Sequence, residues 1–400
     1  MNGLTADHAA ASTKYTSDAD RQLLTQVERI AREVAAPRAE EVDREARFPS
    51  ESIAALREAG ALGAFVPPAL GGQGVSIGAL AAACFELGCH CGASAMVFAM
   101  HQIQVTTMVR HADGQWFSSY LTELADSQRL IASVTSEVGS GGDMGSSIAA
   151  LEATPAGGLS FHKEATAISY GSQADDLLVT LRDSPTSTPN DQRLTLVLDR
   201  QFKLEQRGSW DPLGMRGTCS PPFSVSASIA AEQVLQTPFS TIAAASMVPI
   251  THVLWSHLWL GIATDAVKRA HAYIGAAARR KPGHLPAGGE RLSRVVSELS
   301  LLRGLVYCGL EEFLRSEHEP AGHTSLAAAL STNNLKVAAS EQAVRVCQGA
   351  LWTCGIAGFK NDSPFSIGRQ LRDSLSAPLM IANDRIHRTD ASLLLATREF

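Results

Sequence analysis

Apolar residues in the first third of the chain recur at helical spacing. Leu23, Leu24, Val27, Ile30, Ala31 and Val34 repeat every three to four positions and give out before Pro37, which predicts an amphipathic helix ending there. A second helix is predicted from Phe48-Pro49-Ser50-Glu51, with proline near its first turn, through Ile53, Leu56 and Ala59 to Gly60. The turn Val66-Pro67-Pro68-Ala69-Leu70-Gly71-Gly72-Gln73-Gly74 follows. From Ile77 to Val109 nearly every position is apolar, as in a pair of buried helices.

Between about 129 and 238 the period changes. Residues 130–134, 177–181 and 194–198 are short runs of β-branched residues and leucine, separated by Gly, Ser, Pro and Asn clusters. They predict a β domain, a small barrel or a sandwich. From about 239 the helical spacing returns. Leu292, Val295, Leu299, Leu302, Val306, Leu310 and Phe313 form one stripe, and residues 255–278, 326–352 and 377–395 read as further long helices. Four such helices make a bundle. The expected fold class is therefore α+β, mostly α. It has an N-terminal helical domain over 1–128, a middle β-barrel or sandwich domain over 129–238, and a C-terminal four-helix bundle over 239–400.

Composition narrows the function classes. The chain has 400 residues, 45% hydrophobic and 18% charged, enough for two or three domains with sizeable cores. Its 34 Lys and Arg against 40 Asp and Glu leave a net charge of −6, so nucleic acid is not an expected partner. Seven irregularly spaced cysteines fit free thiols in a reducing compartment. The first twenty residues are polar and are read as no signal peptide. The apolar stretch 239–266 is interrupted by Pro249, Thr251, His252, Ser256 and His257. A membrane span needs about 18 or more apolar residues in a row, so this stretch is read as a core helix. The expected location is cytoplasmic, with no membrane partner. Cys84, Cys89, His90 and Cys91 make no metal site, because adjacent residues on a helix point apart.

Five pieces carry chemistry. They are Phe48-Pro49 with the Val66–Gly74 turn; Thr135-Ser136-Glu137-Val138-Gly139-Ser140-Gly141-Gly142-Asp143; Trp210-Asp211-Pro212-Leu213-Gly214-Met215-Arg216-Gly217-Thr218-Cys219-Ser220; Lys336 with Ser340-Glu341; and Cys354-Gly355, Gly358-Phe359 and Arg372-Asp373. In this order, from about residue 22 to 397, they resemble the acyl-CoA dehydrogenase superfamily. The resemblance implies a flavin, usually FAD, held between the β domain and the bundle, with a second subunit completing the site in a homodimer or homotetramer. It implies an acyl-CoA or acyl-carrier-protein substrate, and leaves the electron acceptor open. Val134, Thr135 and Ser169 are implied at the ring, with Arg279, Gly355 and Asn383 also at the cofactor. Read without the motif, Thr135 and Ser169 are ordinary strand hydroxyls, and Arg279 is a charge favoured by the end of a helix. Trp352-Thr353-Cys354-Gly355-Ile356 departs from the family's Gln-x-x-Gly-Gly dinucleotide stretch, so FMN stays open beside FAD.

Counting from Arg372-Asp373, the family's catalytic glutamate falls on Ile381. The alternative carboxylate position of some members falls on Thr251, ten residues before Gly261. Removing a proton α to a thioester needs a base within hydrogen-bond reach. His252 and Asp384 are the candidates beside those two positions. His101 is a third, on a helix that borders the flavin in this superfamily, and it favours a flavin monooxygenase or oxidase on the same scaffold. The readings kept are an acyl-thioester dehydrogenase with an unusual base, such a monooxygenase or oxidase, and a catalytically silent flavin-binding or assembly protein.

Overall fold

The computed structural model describes residues 17–155, 157–319 and 322–396. The reading of residues 1–20 as no signal peptide therefore lies almost wholly outside the described residues. The fold is α+β and mostly helical, with helices first, strands in the middle and helices again.

Helix α1 (Asp18–Ile30) starts where the Ser17 side chain accepts the Asp20 N–H at 3.0 Å. It does not stop before Pro37. The chain widens into a π turn at Ala31–Ala35 and continues as α2 (Ala36–Arg44), with Pro37 in its first turn. A proline removes one helical N–H and crowds the carbonyl four residues back; the wider turn absorbs both effects. Next come α3 (Ser50–Glu58), α4 (Ile77–Gly88), α5 (Gly92–His111) and α6 (Gln115–Ser127). The turn before α4 needs its glycine: a Cβ on Gly72 would lie 2.0 Å from the Val66 carbonyl oxygen.

Among the described residues, seven strands form two sheets. In the first, β1 (Ile131–Val134) runs parallel to β4 (Asp176–Arg182), which pairs antiparallel with β5 (Gln192–Leu198). The second has the order β2 (Glu152–Ala153), β3 (Leu159–Ala165), β7 (Phe223–Ile229), β6 (Phe202–Gln206). Buried Lys163 on β3 links the sheets, its ammonium donating to the Thr180 carbonyl at 2.7 Å and lying 3.4 Å from Glu137. Buried Asp176 fastens the β domain to α6: Arg129 donates two bonds to it, at 2.6 and 2.7 Å, and the Tyr120 hydroxyl a third at 2.7 Å.

The proline device recurs at α7 (Phe239–Ile242), where a π turn (Ala243–Met247) leads into α8 (Val248–Arg280) with Pro249 at its start. The whole segment, Phe239–Arg280, is long and apolar enough to cross a membrane by length and composition, yet 67% of its most apolar window is buried inside the chain. It packs on α4, α5, α9 (Gly289–Ser316) and α10 (Leu326–Cys354), which makes it the core helix. Short helices α11 (Ile356–Phe359) and α12 (Gly368–Leu375) precede α13 (Asn383–Ala396). The helix expected over 377–395 begins only at Asn383. Residues 376–382 turn instead, with Ile381 at φ 52°. The bundle's fourth member is thus broken where the chain passes the site.

Candidate functional site

Two clefts meet at Leu379, which lines both. The inner cleft has a volume of about 320 Å³. Its walls are Met100, Ile103 and Gln104 of α5; Ser133, Thr135 and Ser136 at β1; Gly141, Gly142 and Met144; Met247, Val248, Thr251 and Trp255; and Ile381, Ala382 and Arg385. The outer cleft, about 390 Å³, is lined by Met96, Ala167, Ser169, Trp210, Pro212, Leu213, Gly214, Met215, Thr218, Ser220, Arg372, Leu375, Ser376 and Met380. Both volumes fall in the range of small-molecule sites, roughly 300–1,000 Å³.

Local chemistry sets these walls. The Trp210–Ser220 segment folds back on itself, with the Trp210 indole donating to the Arg216 carbonyl at 3.0 Å. It is pressed against α12: a Cβ on Gly214 would lie 2.0 Å from the Arg372 carbonyl oxygen, and the Met215 N–H donates to Asp373 Oδ1 at 2.7 Å. Burial raises the Asp373 carboxyl to about 6, against the pull of Arg369. Arg372 forks onto Asp43 at 2.9 and 2.5 Å, tying α12 to α2. On the other side Arg385 donates to the Gly141 carbonyl at 2.6 Å, which ties α13 to the glycine loop.

The 376–383 turn is held from behind. Fully buried Lys336 on α10 donates to Asn383 Oδ1 at 2.6 Å and lies 5.9 Å from the centre of the Trp259 ring. The Asn383 amide donates to Ser340 at 3.1 Å and to Glu341 at 3.3 Å. Burial lowers the Lys336 ammonium to about 8 although Glu341 opposes the shift. Non-glycine residues with positive φ gather nearby. Met215 and Ile381 line the clefts, and Tyr170 and Cys219 adjoin Ser169 and Ser220. Backbone of this kind costs of order 1–3 kcal/mol per residue and concentrates at functional sites.

Of the residues singled out in the sequence, Thr135 and Ser169 line the two clefts, and Val134 is buried in β1 beside them. The Thr135 hydroxyl makes no hydrogen bond among the described residues. Ser169 accepts from the Ser220 hydroxyl at 2.8 Å, so its own proton is free to donate. Asn383 is buried in the network behind the turn. Arg279, at the end of α8, and Gly355, at the end of α10 with φ 57°, are exposed and away from both clefts.

The three candidate bases are not brought together. His101 is fully buried with both ring nitrogens engaged: Nε2 donates to the Leu62 carbonyl at 2.9 Å, and Nδ1 accepts the Ile131 N–H at 3.1 Å. Burial lowers it to about 4, so it is neutral. His252 faces α10, bonding the Thr332 carbonyl at 3.1 Å; burial, then Lys336, lowers it to about 3. Its neighbour Thr251, turned by one helix position, is the residue on the cleft wall. Asp384 is exposed in the first turn of α13.

A family model described as the acyl-CoA dehydrogenase N-terminal domain matches residues 17–128, and one described as the C-terminal domain matches residues 250–391. The chain belongs to the acyl-CoA dehydrogenase family. Among curated members, acryloyl-CoA reductase (NADH) of Anaerotignum propionicum is 32% identical over 109 residues, which are 27% of this chain and 28% of that protein. The 3-sulfinopropanoyl-CoA desulfinase of Paraburkholderia xenovorans is 42% identical over 60 residues, 15% of this chain and 16% of that one. The aligned stretches thus span under a third of these relatives. Solved structures agree in fold over nearly the whole chain. Butyryl-CoA dehydrogenase from Megasphaera elsdenii has a TM-score of 0.79 at 18% identity, covering 95% of this chain and 98% of that one. The dibenzothiophene monooxygenase TdsC from Paenibacillus sp. A11-2 has a TM-score of 0.79 at 18% identity, covering 94% and 98%.

The cleft walls fit the flavin that the motifs imply. A free hydroxyl stands at Thr135 and a free hydroxyl proton at Ser169, two donors for the polar edge of an isoalloxazine, with the Trp210 side chain beside them. Sequence reasoning missed Gln104, Trp255, Leu379 and Arg385 on the walls. Gln104 sits among Gln102, Thr106 and Thr107 in the stretch 92–109, so no feature of the sequence singled it out.

Proposed function

We propose that this chain is a flavin-dependent oxidoreductase that holds FAD or FMN along Thr135, Ser169 and Trp210 and takes its substrate in the inner cleft. When bound, the flavin supplies two-electron transfer and, once reduced, the activation of dioxygen. Thr135 and Ser169 then act as fixed donors toward the negative charge of the reduced ring. Met100, Ile103, Met247, Val248 and Ile381 keep water from it.

Of the activities open on this scaffold, a flavin-dependent monooxygenase is best supported. The observation that carries this reading is the make-up of the inner wall: hydrophobes, hydroxyls, an amide, an indole and Arg385. Arg385 is its ionisable group, and a guanidinium stays protonated, so it holds charge but takes no C–H proton. Passing one oxygen atom to a substrate heteroatom or an electron-rich ring requires no such base. The second reading is oxidation of an acyl thioester on CoA or a carrier protein at its α,β carbons. Family membership favours it. It needs a base from behind or beside the wall, and His252 and Asp384 remain the proposals for that role.

One experiment separates the two. The purified protein is loaded with flavin, and the flavin is identified by mass. Acyl-CoAs are then added without oxygen, and in parallel reduced flavin and oxygen are supplied with amine, thioether and aromatic substrates. Oxygenated product without anaerobic bleaching supports the monooxygenase; bleaching by an acyl-CoA overturns it.

We further propose a homodimer or homotetramer in a reducing, cytoplasmic setting. Trp352, Ile356 and Phe359 are 56%, 74% and 71% exposed around Gly355, and Arg291 ties the start of α9 to this end by donating to the Trp352 carbonyl at 2.7 Å. A second subunit covering this surface would bring Gly355 and Arg279 to a neighbouring cofactor. The seven cysteines, all among the described residues, are free thiols.

A further inference from the structure

Six of the chain's eight methionines stand on the walls of the two clefts. Met100, Met144 and Met247 line the inner one, and Met96, Met215 and Met380 the outer one. No local repeat gathers them. Met96 and Met100 lie one turn apart on α5, and Met144 follows Gly141 and Gly142. Met215 sits in the Trp210–Ser220 segment, Met247 ends the π turn before α8, and Met380 belongs to the turn before α13. Leucine fills a similar volume and is far commoner in the sequence, yet among the described residues it gives these walls only Leu213, Leu375 and Leu379. Exchanging the two residue types changes packing little. What sets methionine apart is its thioether, which is soft, adaptable and open to oxidation.

Exposure divides the six. Met100, Met144 and Met380 are half-buried at the walls, whereas Met96, Met215 and Met247 are buried, as is Met108, which lines neither cleft. The proposed function puts an oxidant beside the first three. Dioxygen that takes two electrons and two protons at the flavin, without passing an oxygen atom to a substrate, leaves as hydrogen peroxide. A thioether sulfur attacks one peroxide oxygen; the O–O bond breaks, the S–O bond forms and water leaves, so sulfur is oxidised as peroxide is reduced. The product is a polar sulfoxide in a wall of hydrophobes, where covering it with a ligand costs its hydration. We propose that Met100, Met144 and Met380 are a peroxide modification site, and that their conversion to sulfoxides turns off flavin and substrate binding until the sulfoxides are reduced. The inference goes beyond the proposed function and rests on it for the clefts being the flavin site.

The test treats the purified full chain with a small molar excess of hydrogen peroxide. Peptide mass mapping is expected to find a gain of about 16 Da, one oxygen atom, on Met100, Met144 and Met380 before Met108. Flavin affinity, read by fluorescence titration against the untreated sample, is expected to fall about fivefold or more. Dithiothreitol alone reverses disulfide and sulfenic oxidation of the seven free cysteines and leaves the loss in place. Adding the two methionine sulfoxide reductases, one for each sulfoxide epimer, restores the affinity. In the triple variant Met100→Leu, Met144→Leu, Met380→Leu, treated and untreated samples bind flavin alike. Oxidation of Met108 as fast as the other three, recovery with dithiothreitol alone, or an equal loss in the triple variant overturns the inference. An untreated chain that binds no flavin sinks the proposed function along with it. Flavin binding that peroxide leaves untouched sinks this inference alone.

Discussion

Lys336 offers a quantitative check on how the site loop is held. Its ammonium is fully buried, with Asn383 Oδ1 at 2.6 Å and the Trp259 ring at 5.9 Å. Burial lowers it from 10.5 to about 8, with Glu341 opposing. The folded chain therefore gives up this proton at lower pH than the unfolded chain does. Between pH 8 and 10.5 the unfolded state binds more protons, so stability rises with pH through that window, and the gain is missing below pH 8. For values of 8 and 10.5, the change from pH 7 to pH 10 is roughly 2–3 kcal/mol. Lys336→Met removes the charge and keeps most of the volume. The assay is urea unfolding of both proteins at pH 7 and pH 10. Wild-type stability relative to the variant is expected to grow by roughly 2–3 kcal/mol across that interval. Taking the difference cancels surface lysines, tyrosines and buried Lys163, which are common to both proteins. A difference that stays flat with pH would refute the claim that a buried ammonium holds the 376–383 turn.

Other outcomes follow from the same geometry. Thr135→Val and Ser169→Ala each remove a hydroxyl from the flavin slot and should weaken flavin binding about fivefold, near 1 kcal/mol per hydrogen bond, read by fluorescence titration; unchanged affinity in both would place the ring elsewhere. Gly214→Ala forces a methyl to within 2.0 Å of the Arg372 carbonyl oxygen and should cost about 1–3 kcal/mol in thermal unfolding, with weaker flavin retention, because the outer wall must lift off α12. Ile356→Asp beside exposed Trp352 should lower the mass seen by light scattering to that of a single chain, and an unchanged mass would show that this surface is not the contact between subunits.

The layout of helices, strands and helices was legible because burial leaves a period: near 3.6 in the helical parts, and short β-branched runs in the middle. The same logic misplaced two details. Pro37 reads as a helix stop, but a π turn placed just before it lets the helix continue, and nothing in the local pattern distinguishes the two cases. Residues 377–395 look like one helix, although Ile381 sits at φ 52° and α13 starts at Asn383, held by a lysine 47 residues earlier. At the site, Thr135, Ser169 and the Trp210–Ser220 segment were visible as motifs because they are local. The roles of the histidines were not. His101 is occupied by Leu62 and Ile131, 39 and 30 residues away, and His252 by Thr332, 80 residues away. A histidine's chemistry depends on such distant partners, and spacing carries no record of them.

A crystal structure of the protein grown with FAD or FMN is the most direct measurement. The expected result is one isoalloxazine per chain lying between Thr135 and Ser169, with Trp210 and Leu379 at its edges and the inner cleft still open beside Gln104. A ring bound elsewhere, or side chains that fill the space between those two hydroxyls in crystals soaked with saturating flavin, would contradict it.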